Sequence, residues 1–474
     1  MRHRVRLGLI AALVAVVLTS VTAGAAEPRG VSGDITPVHD PTMVRDGDTW
    51  YLFSTGDGMP IRRSGDLAHW EPVGLVFPDG LPDWVFDEVP GLNRGERNAW
   101  APDISLVNGR WHLYWSIAVF GTRQAVTGLM TNATLDPTDP DYRWVDEGPV
   151  LTTVEGDPTA AIDSNAVTDA GTGRRWLVYG SFWDGIFIRQ LDPVTGKLRP
   201  DAPAHNIARR QIWFQGIEGA YAVQHDGWWW LFASFGFCCQ GVRSNYSIHV
   251  GRSRSITGPY VDAAGQSMLD NGGTTLTGSY GDVVGPGHGS VVQDGDRWLL
   301  VHHFYDRANN GVPTLSIRPV LWGPDGWPVA ADPGFSPADA PEPGEVTGTW
   351  HLSGYPEECS ARAPDDVTVT LQPDGRVLPA GSWQVVDDHL ELSGVAFDGV
   401  QRNFWLLVDP ATGTSFGRDD RTAAVRANRV DAGAVPGGTV GACGPPPTTP
   451  PGPRPAPGDP VPAPPVVAAP TFTG

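Results

Sequence analysis

Apolar and polar residues alternate in short runs along most of this chain, and Gly, Asp, Asn or Pro interrupts the runs. Period-two alternation places successive side chains on opposite faces of a strand, and such punctuation marks turns, so the pattern predicts β-structure almost throughout. One unit recurs: a short apolar strand led by an acidic residue or His, a polar turn, then a second strand dense in aromatics. It reads HDPTMVRDGDTWYLF at His39–Phe53, WAPDISLVNGRWHLYWS at Trp100–Ser116 and AIDSNAVTDAGTGRRWLVYGS at Ala161–Ser181. It returns as GIEGAYAVQHDGWWWLFAS at Gly216–Ser234 and GPGHGSVVQDGDRWLLVHH at Gly285–His303. Four of the five turns carry Asp-Gly or Asn-Gly, suited to tight hairpins, and the third has a longer Gly-rich loop.

Asp40, Asp103, Asp163, Glu218 and His288 head the five units, at intervals of 63, 60, 55 and 70 residues. That interval suits one four-stranded blade with its loops. The expected fold is all-β, a five-bladed β-propeller over residues 26–343 whose innermost strands line a central channel. Equivalent positions of the repeat would then bring four carboxylates and one imidazole to one end of the channel. A lone strand-end Asp needs no function. Clustered acids repel one another and add nothing to stability, which points to chemistry or ion binding.

From Gly344 the unit stops. GTWHLSGY, VTVTLQPDGRV, GSWQVVDDHLELSG, RNFWLLVDPATGTSFG and RTAAVRANRV predict a small antiparallel β-barrel or sandwich domain over 344–443, reached through the Pro-rich ADPGFSPADAPEPGEV. Residues 444–474, rich in Pro, Ala and Gly, read as a linker or disordered tail. At the other end, Arg2, Arg4 and Arg6 precede an apolar run from Leu7 to Leu18 and the small-x-small Ala23-Gly24-Ala25. This reads as a signal peptide over 1–25. No later segment approaches the roughly 20 apolar residues of a membrane span. A secreted, extracellular monomer without a membrane span is expected.

Lys and Arg number 33 against 53 Asp and Glu, a net charge of −20. That balance excludes nucleic acid as a partner and disfavours a strongly anionic polysaccharide. It leaves a neutral sugar polymer or a cationic ligand. The four cysteines suit an oxidising compartment and allow three pairings. Cys359 and Cys443 bracket the C-terminal segment, so a bridge there would staple it, at about 4 kcal/mol. Cys238 and Cys239 would then form a vicinal disulfide or stay free.

Two carboxylates flanking a sugar are the means of glycosidic hydrolysis. A separation of about 5 Å implies retention of configuration and one of roughly 6.5–9.5 Å inversion. Nineteen Trp are available to stack on sugar faces, Trp100, Trp183 and Trp213 beside strand heads, though most belong to strand packing. Gly285-Pro286-Gly287-His288-Gly289 lacks nucleotide-binding spacing, and no G-x-S-x-G elbow occurs. His302 and His303 alternate faces of a strand and are set aside as metal ligands.

The motifs HDPTMV, WAPDIS, YGSFWDGIFIRQLDPVTGKL, IEGAY, CCQGVRSNYSIHVGRSRSITGPY, GPGHGSV and IRPVLWGPDGWPV resemble glycoside hydrolase family 43, and within it the endo-α-1,5-L-arabinanases of two-domain type. The resemblance covers about residues 34–333. It implies an inverting hydrolase of arabinan or another neutral arabinose-containing polysaccharide. Asp40 matches the general base, Glu218 the general acid and Asp163 the carboxylate that tunes the acid. Asp40, Trp100, Gly121, Asp163, Ser181, Phe182 and Trp183 match positions expected at the substrate. His288 matches the histidine beside a central ion, usually calcium, with water completing most of its shell. Three positions depart from the family: Ala160 stands where Asn is frequent, Ser164 where Pro is usual, and Ala220 likewise for Pro. These bear on subsite detail and cleavage mode. An exo-acting α-L-arabinofuranosidase or β-xylosidase on the same fold is the alternative reading. A non-catalytic carbohydrate-binding propeller is disfavoured, because a lectin has no use for three mutually repelling acids.

Overall fold

The structure is a computed structural model that describes residues 30–212, 215–337, 341–355 and 366–430. The expected signal peptide over 1–25, Trp213, Cys359, Cys443 and the Pro-rich tail therefore lie outside the described residues. The described chain is nearly all β. Its only α-helical segments are the short Trp84–Glu88 and Pro343–Val346, the latter at the expected start of the C-terminal segment.

Each repeat unit opens a four-stranded antiparallel meander. The lead strands are His39–Asp46, Asn98–Val107, Asn165–Thr168, Ile217–His225 and Val283–Asp294. The third, fourth and fifth meanders are separate four-stranded sheets. The first and second are joined by a two-residue pairing, Gly56 with Ala99 and Asp57 with Asn98, and with the short strand Ser32–Gly33 on the outer edge of the first they make one nine-stranded sheet. Asn108, Asp226 and their following glycines take the positive φ that the tight turns require.

Each lead strand packs against the lead strand of the next meander, and the fifth returns to the first, so the five form a closed ring. The closing seam is apolar: Val38, Met43, Trp50 and Leu52 cluster with Leu299, Val301, Leu315 and Ile317. It is also hydrogen-bonded, since Val38 N–H donates to Pro313 O at 2.9 Å and Leu315 N–H to Ile35 O at 3.1 Å.

The C-terminal segment forms one eight-stranded antiparallel sheet, with Ala424–Arg429 and Thr414–Asp419 at its centre. Its two end strands are linked by a bridge between Arg376 and Ser382. One face buries Trp350, Leu352, Leu392, Phe397, Phe404 and Leu406. Polar groups tie this sheet to the fifth meander. Arg418 donates to Pro328 O at 2.6 Å, and Trp405 Nε1–H donates to Asp325 Oδ2 at 3.3 Å. Asp332 is the hub: it accepts from Tyr280 Oη at 2.9 Å and pairs with Arg318 and Arg426. The Arg318 side chain is only 1% exposed, so it has little water to replace a lost partner. Asp332→Ala is expected to destabilise the protein by about 3 kcal/mol, because a buried guanidinium is left uncompensated. Urea denaturation measures it; a loss under about 0.5 kcal/mol, the range of an ordinary surface substitution, would show that the cluster does not join the two sheets.

Candidate active site

The lead strands share a defect. Their pairing slips between His39 and Thr42, between Trp100 and Asp103, between Glu218 and Tyr221, and twice between Val284 and Ser290. At the slips of the first, second and fourth lead strands, at the second slip of the fifth, and just ahead of the third, one residue has positive φ: Asp40 at 48°, Ala101 at 45°, Gly219 at 57°, His288 at 48° and Asp163 at 58°. These five are the equivalent positions of the repeat. Asp103 and Glu218, which head their units in the sequence, are not among them. Glu218 instead stands one residue before its bulge position and Asp103 two after, because a bulge inserts residues that a linear alignment does not show.

A second regularity fixes these bulges. The amide of each positive-φ residue donates to a side chain of the preceding meander. Ala101 N–H reaches Thr55 Oγ1 at 2.8 Å, Asp163 N–H Ser116 Oγ at 3.4 Å, and His288 N–H Ser234 Oγ at 2.7 Å. Asp40 N–H closes the ring on His303 Nδ1 at 3.1 Å. Gly219 N–H does the same on a carboxylate, donating to Asp163 Oδ2 of the third unit at 3.0 Å. His303, set aside from sequence, thus belongs to the site as a buried acceptor. Its neighbour His302 turns to the other face and donates from Nδ1 to the His303 carbonyl at 2.8 Å.

Asp103 does not join the acid cluster. It lies deeper and is tied to the third meander, accepting from Ala166 N–H at 2.8 Å and Asn165 Nδ2 at 3.2 Å. Burial pushes it up to about 6, against the pull of those donors. Asn165 carries the link onward by accepting from Ala222 N–H at 2.9 Å.

Asp40, Asp163 and Glu218 are all buried, at 8%, 7% and 8% exposure. Burial alone would raise all three, and their partners separate them. Asp40 meets His39 Nδ1 at 2.8 Å and His288 Nδ1 at 3.2 Å, and accepts from Thr55 Oγ1 at 2.6 Å. The two imidazoles overcome burial and hold Asp40 well below the usual carboxylate range. Glu218 has one donor, Ser181 Oγ at 2.6 Å. Burial first, then the charge of Asp163, pushes Glu218 up to about 8. Asp163 is raised less, to about 6, by burial and the Asp40 charge, against His288. At neutral pH the cleft therefore holds an ionised Asp40 and a protonated Glu218, which is what acid/base cleavage of a glycosidic bond needs.

Around these acids lie aromatic side chains. Trp100 meets the exposed Phe120 edge-on at 6.4 Å, and Gly121 follows at the exposed tip of that loop. Ser181 is committed to Glu218, a role sequence did not show. Phe182 and Trp183 both take positive φ, at 53° and 46°. Phe182 faces Phe237 at 5.6 Å, and Trp183 carries Arg123 at 5.5 Å. Phe237 leads into Cys238 and Cys239, which form a vicinal disulfide. Ala160 and Ala161 pack in a small apolar cluster behind Trp100 and Trp183.

With Nδ1 on Asp40, the His288 ring has Nε2 left for a ligand. The cavity of about 10 Å³ beside it is lined by Asp103, Asp163, Asn165, Tyr221 and Ser290 among others. Asp103 and Asn165 are already engaged, and Ser290 Oγ donates to Pro41 O at 3.1 Å. A cation here would draw one imidazole nitrogen and otherwise water, a donor set that fits only a weakly held calcium. Burial would lower His288, but Asp40, Asp163 and Glu218 outweigh it and raise it to about 9. The ring therefore supplies positive charge as an imidazolium, and a metal at Nε2 would have to displace that proton.

A ring of antiparallel sheets with acids of opposite protonation at its axis defines a glycosidase-like hydrolase. The chain belongs to glycosyl hydrolases family 43, whose profile matches residues 35–328. It is 36% identical to the extracellular endo-α-(1→5)-L-arabinanase 1 of Bacillus subtilis, over 67% of this chain and 95% of that protein. It is 38% identical to an extracellular exo-α-(1→5)-L-arabinofuranosidase of Cellvibrio japonicus, over 61% and 85%. An exo-1,5-α-L-arabinanase crystal structure from a bovine ruminal metagenomic library matches with 40% identity and a TM-score of 0.60, covering 63% of this chain and 99% of that one. The endo-1,5-α-L-arabinanase of Thermotoga petrophila shares the fold at 22% identity, with a TM-score of 0.71 over 84% of this chain and 99% of that one.

The charge order gives a direct test. In infrared difference spectra near pH 7, Glu218→Gln is expected to remove a protonated-carboxyl band that titrates near pH 8 in the parent. Ser181→Ala is expected to move that titration upward, because it deletes a hydrogen bond that favours the charged form. A Glu218 carboxyl already ionised at pH 6 would contradict the order.

Proposed function

We propose that this chain is a secreted, endo-acting hydrolase of α-1,5-L-arabinofuranosidic bonds in arabinan, working with inversion. The observation that carries the reading is the pairing of an ionised Asp40 with a protonated Glu218 in one buried cleft. Glu218 gives its proton to the leaving glycosidic oxygen. Asp40 takes a proton from the water that attacks the anomeric carbon from the opposite face. The carbon–oxygen bond breaks as the new one forms, and the sugar leaves with inverted configuration. Asp163, held by Gly219 N–H, keeps Glu218 protonated by like charge. Trp100, Gly121, Ser181, Phe182 and Trp183 border the sugar subsites. We read the ring as a five-bladed β-propeller over 26–343 and the eight-stranded sheet as a C-terminal barrel domain over 344–443.

Arabinan is supported by the relatives, several of them named for it. Secretion is supported by the extracellular Bacillus and Cellvibrio relatives, and no described helix is long and apolar enough to cross a membrane. Endo action is supported by the Bacillus and Aspergillus relatives. The exo alternative is favoured by the Cellvibrio and ruminal relatives. A calcium ion on His288 Nε2, otherwise water-coordinated, would add positive charge against the acids, and no step above runs through it.

Asp40→Ala and Glu218→Ala are each expected to lower kcat on linear arabinan by at least about 1,000-fold, and Asp163→Asn by about 100-fold. Near-wild-type turnover by either alanine variant would refute the roles. Activity should fall as pH rises through about 8, where Glu218 loses its proton. It should persist on the acid side until well below the ordinary carboxylate range, where Asp40 gains one. Linear arabinan should yield a spread of oligosaccharides at early times; a single short product would establish the exo mode. For the ion, chelation should lower the melting temperature and calcium should restore it, with the response flattened in His288→Ala. Metal-free protein indifferent to both treatments would leave His288 as the partner of Asp40 alone.

A further inference from the structure

His39 lies beside Asp40 in sequence, yet its ring is held from elsewhere in the ring of sheets. Its Nδ1 faces Asp40 Oδ2 at 2.8 Å and its Nε2 faces Tyr305 Oη at 2.9 Å. The ring also stacks on His303 at 3.9 Å between centroids. Tyr305 is 2% exposed, and its oxygen accepts from the Cys239 amide at 2.6 Å. Ser244, whose Oγ accepts from Gln240 N–H, also meets that oxygen, so with Cys239 and Ser244 both donating to it the Tyr305 hydroxyl proton goes to His39 Nε2. His39 then carries its proton on Nδ1 and donates it to Asp40. The order of donation is Cys239 N–H, Tyr305 O–H, His39 Nδ1–H, Asp40 carboxylate.

The loop that supplies the first donor is itself tied down. Cys238 and Cys239 close a disulfide between neighbours, which fixes the backbone on which the Cys239 amide sits. Phe237 N–H donates to Asn245 Oδ1 at 2.7 Å, and Gln240 N–H to Ser244 Oγ at 3.0 Å. The fourth meander's loop thus reaches, through the fifth meander's Tyr305, a carboxylate of the first.

We propose that Tyr305 and the Cys238–Cys239 loop are positioning residues for Asp40, acting through His39. The proposal rests on Asp40 being the base. The relay fixes the His39 tautomer and so aims one carboxylate oxygen, leaving the group oriented toward water. Neither Tyr305 nor the loop need touch the substrate for this.

The test measures kcat and KM on linear arabinan for Tyr305→Phe, His39→Leu, His39→Asn and Tyr305→Phe/His39→Leu, with Asp40→Ala alongside. Tyr305→Phe is expected to lower kcat by about 10- to 100-fold with KM within about twofold, the signature of a misaimed group. His39→Asn, which keeps a donor near the Nδ1 position, should recover much of the kcat lost in His39→Leu. Adding Tyr305→Phe to His39→Leu should cost nothing further, because the relay is already broken. Cys238→Ala/Cys239→Ala should lower kcat in the parent and leave the Tyr305→Phe enzyme unchanged. Additive losses, or a wild-type kcat in folded Tyr305→Phe, would overturn the relay. An inactive Asp40→Ala beside a fully active Tyr305→Phe sinks the relay alone, whereas an active Asp40→Ala sinks the base assignment with it.

Discussion

Three carboxyl groups buried in one cleft cannot all carry charge. Desolvation penalises each anion, and each anion penalises the others. The protein resolves this by unequal partnership. Asp40 receives two imidazoles and a hydroxyl, while Glu218 receives one hydroxyl. Charge therefore settles on Asp40 and the proton on Glu218, with Asp163 between them in titration order. The coexistence of a charged and a protonated carboxyl at one pH follows from that division, not from the number of acids present.

The division depends on backbone that is hard to hold. Asp40, Asp163 and His288 occupy positive φ, a region that costs a non-glycine residue about 1–3 kcal/mol. Such residues persist only where their surroundings over-determine them. Here the same peptide amides are spent on neighbouring sheets, at Ser116, Ser234 and His303. Deeper in, Asp103 and Asn165 link the second, third and fourth sheets. The ring and the site thus share the same hydrogen bonds. A variant that loosens a seam between sheets also misplaces an acid.

The C-terminal sheet takes no part in this arrangement among the described residues. It joins the fifth meander through Asp332, Arg318, Arg426 and Tyr280, with Gly323 lying so close to Trp405 that a Cβ would sit 2.1 Å from its ring. The contact is polar and close-packed at once, as in a fixed interface. The likeness to the Thermotoga petrophila structure extends over 84% of this chain, further than the residues the family profile matches.

The strands, the repeat and the residues that head its units are legible in the sequence. Alternation and turn residues are local, and the unit headed by Asp40, Asp163, Glu218 and His288 recurs at an interval that one meander fills. Tertiary structure decided the rest. Only the bulges show that Asp103 falls out of the cluster and Glu218 stands one residue early, since a linear repeat does not record an inserted residue. The acceptor role of His303 is not legible in the sequence, because it occupies a position where other sheets use Thr or Ser. Tyr305 carries no motif, and its role arises from a loop of another meander. The protonation of Glu218 and the ionisation of Asp40 belong to no residue alone. Each comes from burial and from partners of which only His39 is a chain neighbour; Ser181, Asp163 and His288 are brought in from other meanders when the ring closes.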